Sequence, residues 1–341
     1  MATLSDYSED ELTARFKAAF GPAPADELWT GDDAAVFAAG PRLVMTVDVM
    51  TEHTDFELSW ASGEDVGFKL VAVNVSDVAA MGATPTKGVA TLNVFPELEL
   101  GLLDDVVRGM ATAAHRWGID IVGGDISRAT ELSLSLTLLG ELDGEPVRRS
   151  TARAGDAICV TGTLGGAAAG LTALRAGLVS REVVEAEIAQ PSGADALAIL
   201  AVRQLRPVAR LEESRSIAKH GATAMIDISD GLAIDLNRLL EGSGLGCEVA
   251  ASAIPIDPEI APAMDRLPQP VEPAKLALTG GEDFELLFTI DPDRIPALHE
   301  SFDRAGATMS LIGRTTDGER NIDGEPLTTW MEGSWDHLRA R

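Results

Sequence analysis

The residues in this sequence with the clearest capacity for chemistry are aspartates in one recurring setting, beside a glycine or at the end of an apolar run. Asp32 and Asp33 follow Gly31, Asp48 ends the run Arg42-Leu-Val-Met-Thr-Val, Asp77 follows Ser76, Asp125 follows Gly123-Gly124, and Asp227 and Asp230 sit in DISDG. Carboxylates at strand ends face the crevice where open α/β sheets bind ligands, and neighbouring glycines let a phosphate or a metal approach the backbone. Two unit charges about 4 Å apart repel by roughly 4 kcal/mol at an effective dielectric of 20, so converging carboxylates need cations. Magnesium suits them, being hard, oxygen-seeking and commonly held by one or two carboxylates together with substrate phosphates. The pattern points to a site that handles phosphate with several Mg2+ ions. For any one of these residues the competing reading is a helix cap or a turn, most plainly for Asp230 just ahead of a helix opening at Gly231.

Other chemistries lack their residues. No GxxxxGK[ST] occurs, and GTLGGAAAG at 162–170 lacks the lysine of a P-loop. Protein-kinase signatures and a GxSxG nucleophile elbow are also missing. His53, His115, His220, His299 and His337 show no HExxH spacing, and Cys159 and Cys247 are too far apart for a CxxC pair or a thiolate zinc site. Lys and Arg number 27 against 54 Asp and Glu, and the resulting charge of −27 repels nucleic acid and anionic membranes. With 45% hydrophobic and 24% charged residues the composition is that of a folding chain, and its 341 residues suit two domains. An acidic start without an apolar leader, and no run of 18 apolar residues, lead us to expect a cytoplasmic protein.

The elements that must position the aspartates follow from periodicity. Ser8 with Glu11 forms a capping-box pattern that starts a helix at about Glu9. Arg42 to Asp48 reads as a buried strand with the carboxylate at its exit. Val66, Leu70, Val73, Val75 and Val78 predict a helix over Gly63 to Met81, closed by Gly82 and carrying Asp77 in its last turns. A strand over Lys87 to Val94, a helix over Leu98 to Trp117 and a short strand over Ile119 to Val122 follow, the last delivering Asp125. Ser or Thr alternates with Leu from Leu132 to Leu139, a half-buried strand, and Asp143-Gly144 marks a turn. A second set begins with a strand at Ala157 to Thr161, the glycine loop 162–166 and an Ala-rich helix, then helices around 181–188 and over Gly193 to Leu205. Strands at Ala222 to Ile228, Cys247 to Ala253 and Phe284 to Ile290, with a helix at Gly231 to Glu241, complete it. The proline-rich stretch 254–277 reads as an ordered but irregular excursion.

The segments GDDAAVF, TVDVMTEHTDF, VNVSDVAAMGATP, VGGD, RRSTARAGD, VTGTLGGAAAG, DISDGLAIDL and GGEDFELLF, in that order from residue 31 to 288, resemble the thiamine-monophosphate kinase family, as does the closing GSWDHL. The wider superfamily includes aminoimidazole ribonucleotide synthetase, selenophosphate synthetase and a hydrogenase maturation protein. The resemblance implies a two-domain α+β / α/β chain. It implies a ferredoxin-like α+β domain over 1–148 whose sheet pairs with that of a second subunit, an α/β domain over 149–341, and hence a homodimer. It implies transfer of the γ-phosphoryl of ATP to thiamine monophosphate with several Mg2+ ions. Carried over residue by residue, it assigns Asp32, Thr46, Asp48, Asp77, Asp125, Asp227 and Asp230 to metal. Gly124, Asp125, Arg149 and Ser229 fall to ATP, and Glu282 and Trp335 to thiamine phosphate.

Two positions depart from the family pattern. Where a histidine commonly follows the strand-end Asp by seven residues this chain has Asp55, with His53 nearby, so either becomes a candidate substrate contact. Val47 stands where a small hydroxyl residue is common. The acceptor is itself a largely deprotonated phosphate oxygen, so no dedicated catalytic base is needed. Two other readings stay open: an aminoimidazole ribonucleotide synthetase-like enzyme, and a nucleotide-binding protein without catalysis. Selenophosphate synthetase fits poorly, since no cysteine precedes Cys159.

Overall fold

In the computed structural model, which describes residues 2–29, 34–268 and 272–331, the chain sorts into two units. One comprises Met1–Val78 with Ala83–Gly144, the other Ala79–Gly82 with Glu145–Arg341.

The first unit runs α1 (Glu9–Phe20), β1 (Leu43–Thr51), α2 (Gly63–Ala80), β2 (Thr84–Val94), α3 (Leu100–Trp117), β3 (Asp120–Arg128) and β4 (Ser133–Glu141). The capping box closes reciprocally: the Ser8 N–H donates to Glu11 Oε2 at 2.8 Å and the Glu11 N–H to Ser8 Oγ at 3.3 Å. The sheet order is β1-β4-β2-β3, with β2 and β3 parallel and the other pairs antiparallel. The parallel pair needs a long crossover, which α3 supplies. Helices over a four-stranded sheet give the expected α+β layering, while the chain order β-α-β-α-β-β is a variant on the ferredoxin-like β-α-β-β-α-β. Leu134, Leu136 and Leu138 of β4 are wholly buried, so its alternation reads as predicted. A Cβ on Gly67 would collide with the Val106 carbonyl and one on Gly109 with that of Glu64, so α2 and α3 meet backbone to backbone.

Two strands differ from expectation. β1 is an edge strand rather than a buried one, and it continues past Asp48 to Thr51. Leu43, Met45, Val47 and Val49 share an exposed face, with Met45 71% exposed. β3 does not stop at its glycines, so Asp125 lies within the strand, paired with Thr91 of β2. A Cβ on Gly124 would strike the Ala90 carbonyl, which is why the strand passes there as glycine.

The second unit contains β5 (Ala157–Thr161), α4 (Gly166–Arg175), α5 (Arg181–Ala189), α6 (Ala196–Leu205), α7 (Leu211–Lys219), β6 (Ala224–Asp227), α8 (Leu232–Ser243) and β7 (Gly246–Val249). It continues with α9 (Ile260–Ala263), α10 (Pro273–Thr279), β8 (Leu286–Ile290), α11 (Ile295–Ala305), β9 (Met309–Thr316), β10 (Arg320–Ile322), β11 (Glu325–Pro326) and α12 (Leu327–Trp330). The seven strands lie in the order β11-β10-β7-β9-β5-β8-β6. β5 and β8 are buried at every position and so read as continuous apolar runs. One side of this sheet packs Ile158, Val160, Leu232 and Leu236, the other Cys159, Met225, Phe288 and Phe302. Among its described residues the proline-rich stretch holds α9, a 3-10 turn over Met264–Arg266 and the start of α10, which has Pro273 in its first turn. Sequence periodicity did not reveal α7, α11 or β9 to β11. α11 buries only Leu298 and Phe302, and β9 is interrupted by Gly313.

Replacing the helix-contact glycine, Gly67→Ala, forces α2 away from α3 and is expected to cost about 3 kcal/mol, read by urea denaturation. A variant within about 0.5 kcal/mol of the parent contradicts the backbone contact.

Candidate functional site

The alternation of β1 that exposes Val47 turns Thr46 and Asp48 to the opposite face, where α2 carries Asn74 and Asp77. Thr46 Oγ1 donates to Asp77 Oδ2 at 2.5 Å. The Asp48 N–H donates to Asn74 Oδ1 at 3.2 Å, and Asn74, itself fully buried, donates from Nδ2 to the Leu70 carbonyl at 2.8 Å. Asn74 thus ties the strand to the helix at the height of both aspartates. Asp48 and Asp77 share a hydrogen bond. Burial, with the Asp77 charge and hydrogen bond and then the Asp55 charge behind it, pushes Asp48 up to about 7. Burial also raises Asp77, against the pull of its bonds from Thr46 and Asp48. Two half-buried carboxyls that hold a proton between them near neutral pH are a donor set in which a hard divalent cation can replace that proton. These residues therefore fit Mg2+.

The turn after β1 separates the two substrate-side candidates. Asp55 Oδ2 accepts the Thr51 N–H at 2.7 Å, and its charge is felt at Asp48. His53, at a φ of 69°, pairs with Glu57 Oε2 at 2.9 Å on the exposed side, and that bond raises its pKa. Gly124 and Asp125 line a cavity of about 80 Å3 between β3 and α1, with Phe16 and Phe20. Among the described residues no three His, Cys, Asp or Glu side chains converge into a cage of their own. Asp32 and Trp335 lie outside the described residues.

In the second unit β6 ends at the buried Asp227, and the turn into α8 carries Ser229 and Asp230. Asp230 does not cap α8. Asp235 reaches back instead, its Oδ2 accepting the N–H groups of Ser229 at 3.1 Å and Asp230 at 3.0 Å. Arg238 Nη1 bridges Asp235 Oδ1 at 2.7 Å and Asp230 Oδ2 at 2.6 Å. Burial pushes Asp235 up to about 6, against the Asp230 amide and the Arg238 charge. Sequence reasoning passed over Asp235, although it stands in the same DISDGLAIDL segment.

The GGEDF loop is knitted to that turn. The Glu282 N–H donates to the Ser229 carbonyl at 2.8 Å and the Phe284 N–H to that of Ile228 at 2.9 Å. Gln204 of α6 donates from Nε2 to Glu282 Oε2. Asp283 accepts the N–H groups of Gly165 at 2.6 Å and Ala167 at 3.1 Å, anchoring the glycine loop and the start of α4. Burial pushes Asp283 up to about 7 despite both donors. Glu285 takes Arg210 Nε at 2.7 Å and Thr161 Oγ1 at 2.6 Å. Gln204, Arg210, Asp283 and Glu285 escaped sequence reasoning because their partners are far away in the chain. Arg149 is exposed, its carbonyl accepting from Ser243 Oγ at 3.4 Å.

Asp48 titrates higher in the fold than in the unfolded chain, so without metal the fold takes up a proton there. Its contribution to stability is full below about pH 4 and is lost as pH rises through about 7. Thermal melting in a chelator is expected to show the parent losing stability between about pH 5 and pH 8 relative to Asp48→Asn, with Mg2+ restoring the parent but not the variant. Parallel pH profiles, or equal gains with Mg2+, contradict the shared-proton pair.

The chain matches the family model described as AIR synthase related protein, N-terminal domain over residues 31–142, and the corresponding C-terminal domain model over 153–323. It is 35% identical over 300 residues to the thiamine-monophosphate kinase of Aquifex aeolicus, covering 87% of this chain and 90% of that one. The crystal structure of a thiamine-monophosphate kinase from Stenotrophomonas maltophilia aligns at a TM-score of 0.79 and 31% identity, over 95% of this chain and 98% of that one. The structure of AaThiL complexed with AMPPCP and TMP aligns at 0.73 and 31%, over 96% of each chain. The chain belongs to the AIR synthase related family, and within it with the thiamine-monophosphate kinases.

Proposed function

We infer that this chain transfers the γ-phosphoryl group of ATP to thiamine monophosphate, giving thiamine diphosphate and ADP. The observation that carries the reading is the half-buried Asp48–Asp77 pair, a cation-demanding site in a chain of this family. A bond forms between a phosphate oxygen of thiamine monophosphate and Pγ, while the bond from Pγ to the β,γ-bridging oxygen breaks and its electron pair leaves with ADP. The acceptor oxygen carries its own lone pair and charge, so the protein's work is to align two anions and offset their repulsion. Mg2+, when bound, supplies the positive charge between them.

We assign Asp32, Thr46, Asp48, Asp77, Asp125, Asp227 and Asp230 to Mg2+, and Gly124, Asp125, Arg149 and Ser229 to ATP. Thiamine monophosphate is assigned Asp55, Glu282 and Trp335. His53 ranks below Asp55, because its ring is engaged by Glu57 on the exposed side whereas Asp55 acts on Asp48. Thr46 contributes by holding Asp77, and Asp235 with Arg238 by holding the turn of Ser229 and Asp230.

A homodimer formed through the first unit's sheet is supported by the exposed apolar row Leu43, Met45, Val47 and Val49, with Val89 on the same face. Four such side chains on one edge strand form a patch that a second copy can cover. Among the described residues no helix is long and apolar enough to cross a membrane. The two free, buried cysteines accord with a cytoplasmic location.

Incubation with ATP, Mg2+ and thiamine monophosphate is expected to yield thiamine diphosphate by chromatography, and Asp48→Asn to lower kcat/KM by at least about 100-fold. No product at saturating Mg2+, or turnover of an aminoimidazole precursor instead, overturns the assignment. Val47→Asp is expected to convert a dimer to a monomer by light scattering, and a parent that is already monomeric contradicts the sheet interface.

A further inference from the structure

Glu282 is held in place at a structural cost that its neighbours explain. Gln204, only 1% exposed, donates from Nε2 to Glu282 Oε2, and its own Oε1 is buried without a hydrogen-bond partner. A carboxylate offers only acceptors, so the amide can meet Glu282 in one orientation, NH2 forward and carbonyl unpaired. Buried polar groups are nearly always satisfied, which makes an orphaned acceptor an arrangement in need of a reason. The backbone of Glu282 is a second and independent cost. It sits at a φ of 70°, in the left-handed region that side chains other than Asn and Asp seldom occupy, and Phe284 follows at 50°. Gly281, whose backbone lies too close to the Ser229 carbonyl to carry a Cβ, leads into it. Both costs converge on one carboxylate.

We propose that Gln204 is a positioning residue for the acceptor substrate. It holds the Glu282 carboxylate at a fixed angle for the cationic ring of thiamine monophosphate, and so sets the affinity for that substrate without affecting ATP. The inference rests on the assignment of Glu282 to thiamine monophosphate made above. An untethered glutamate would lose the freedom of three side-chain torsions on engaging a cation. With the buried amide already holding it, that loss is incurred on folding and not on binding. Gln204 reaches Glu282 from α6, whereas Ser229 and Asp230 are held from α8 by Asp235, so the two substrates have separate supports within this unit.

The test is steady-state kinetics on the full chain. Gln204→Met keeps the length of the side chain and removes its donor. It is expected to raise KM for thiamine monophosphate roughly tenfold while KM for ATP and kcat stay within about twofold. In a Glu282→Ala background the same substitution is expected to add no further rise, because the carboxylate it positions is gone. Gln204→Asn, an amide one methylene too short to reach, serves the same comparison if the methionine variant does not fold. An unchanged KM for thiamine monophosphate, both KM values rising together, or additive losses in the double variant each overturn the proposal. A parent that binds no thiamine monophosphate by calorimetry overturns the functional reading itself, and this proposal with it.

Discussion

Two half-buried carboxyl groups held side by side are the constraint on which this molecule's chemistry depends. Asp48 and Asp77 come from a strand and a helix tied together by Asn74 and by the Thr46 bond to Asp77, which hold the two carboxyls near each other against their repulsion. Burial and mutual charge leave them a choice between a shared proton and a cation. Phosphoryl transfer between two anionic substrates presents the same electrostatic difficulty on the substrate side, and one divalent ion answers both.

The second unit treats its acids differently. Asp235 is satisfied by two amides and Arg238, Asp283 by two amides of the glycine loop, and Glu285 by Arg210 and Thr161. A buried carboxylate with fixed donors sets the shape of a loop, while one facing another carboxylate remains available to a ligand. The same residue type thus has two uses in one chain, separated by what lies within hydrogen-bond reach. The turns carrying Ser229, Asp230 and Glu282 are bonded to each other through the Ser229 and Ile228 carbonyls. Those backbone bonds fix the two turns against each other, while Glu282 is held separately by the Gln204 side chain and Ser229 and Asp230 by that of Asp235.

Much of this was legible in the sequence where the signal is local. The capping box at Ser8 and Glu11, the alternating leucines of β4, and Asp77 near the end of α2 each follow from spacing within a few residues. What escaped was set by distant partners. An apolar run such as Leu43 to Val49 reads the same whether its second face is covered by helices or left open at a sheet edge. Asp125 was expected at a strand exit because glycines usually break strands, yet at Gly124 the absence of a Cβ is what lets β3 pass Ala90. Gln204 looks like any helix glutamine until Glu282 is folded against it.

The most direct test of the shared-proton pair is calorimetric titration of the parent with Mg2+ at pH 7 in buffers of different ionisation enthalpy, which counts the protons displaced. Release of a substantial fraction of about one proton, fading by about pH 9 and absent in Asp48→Asn, is the predicted result. Heats at pH 7 that are independent of the buffer would contradict it, because the two carboxyls would then carry no proton for the metal to displace.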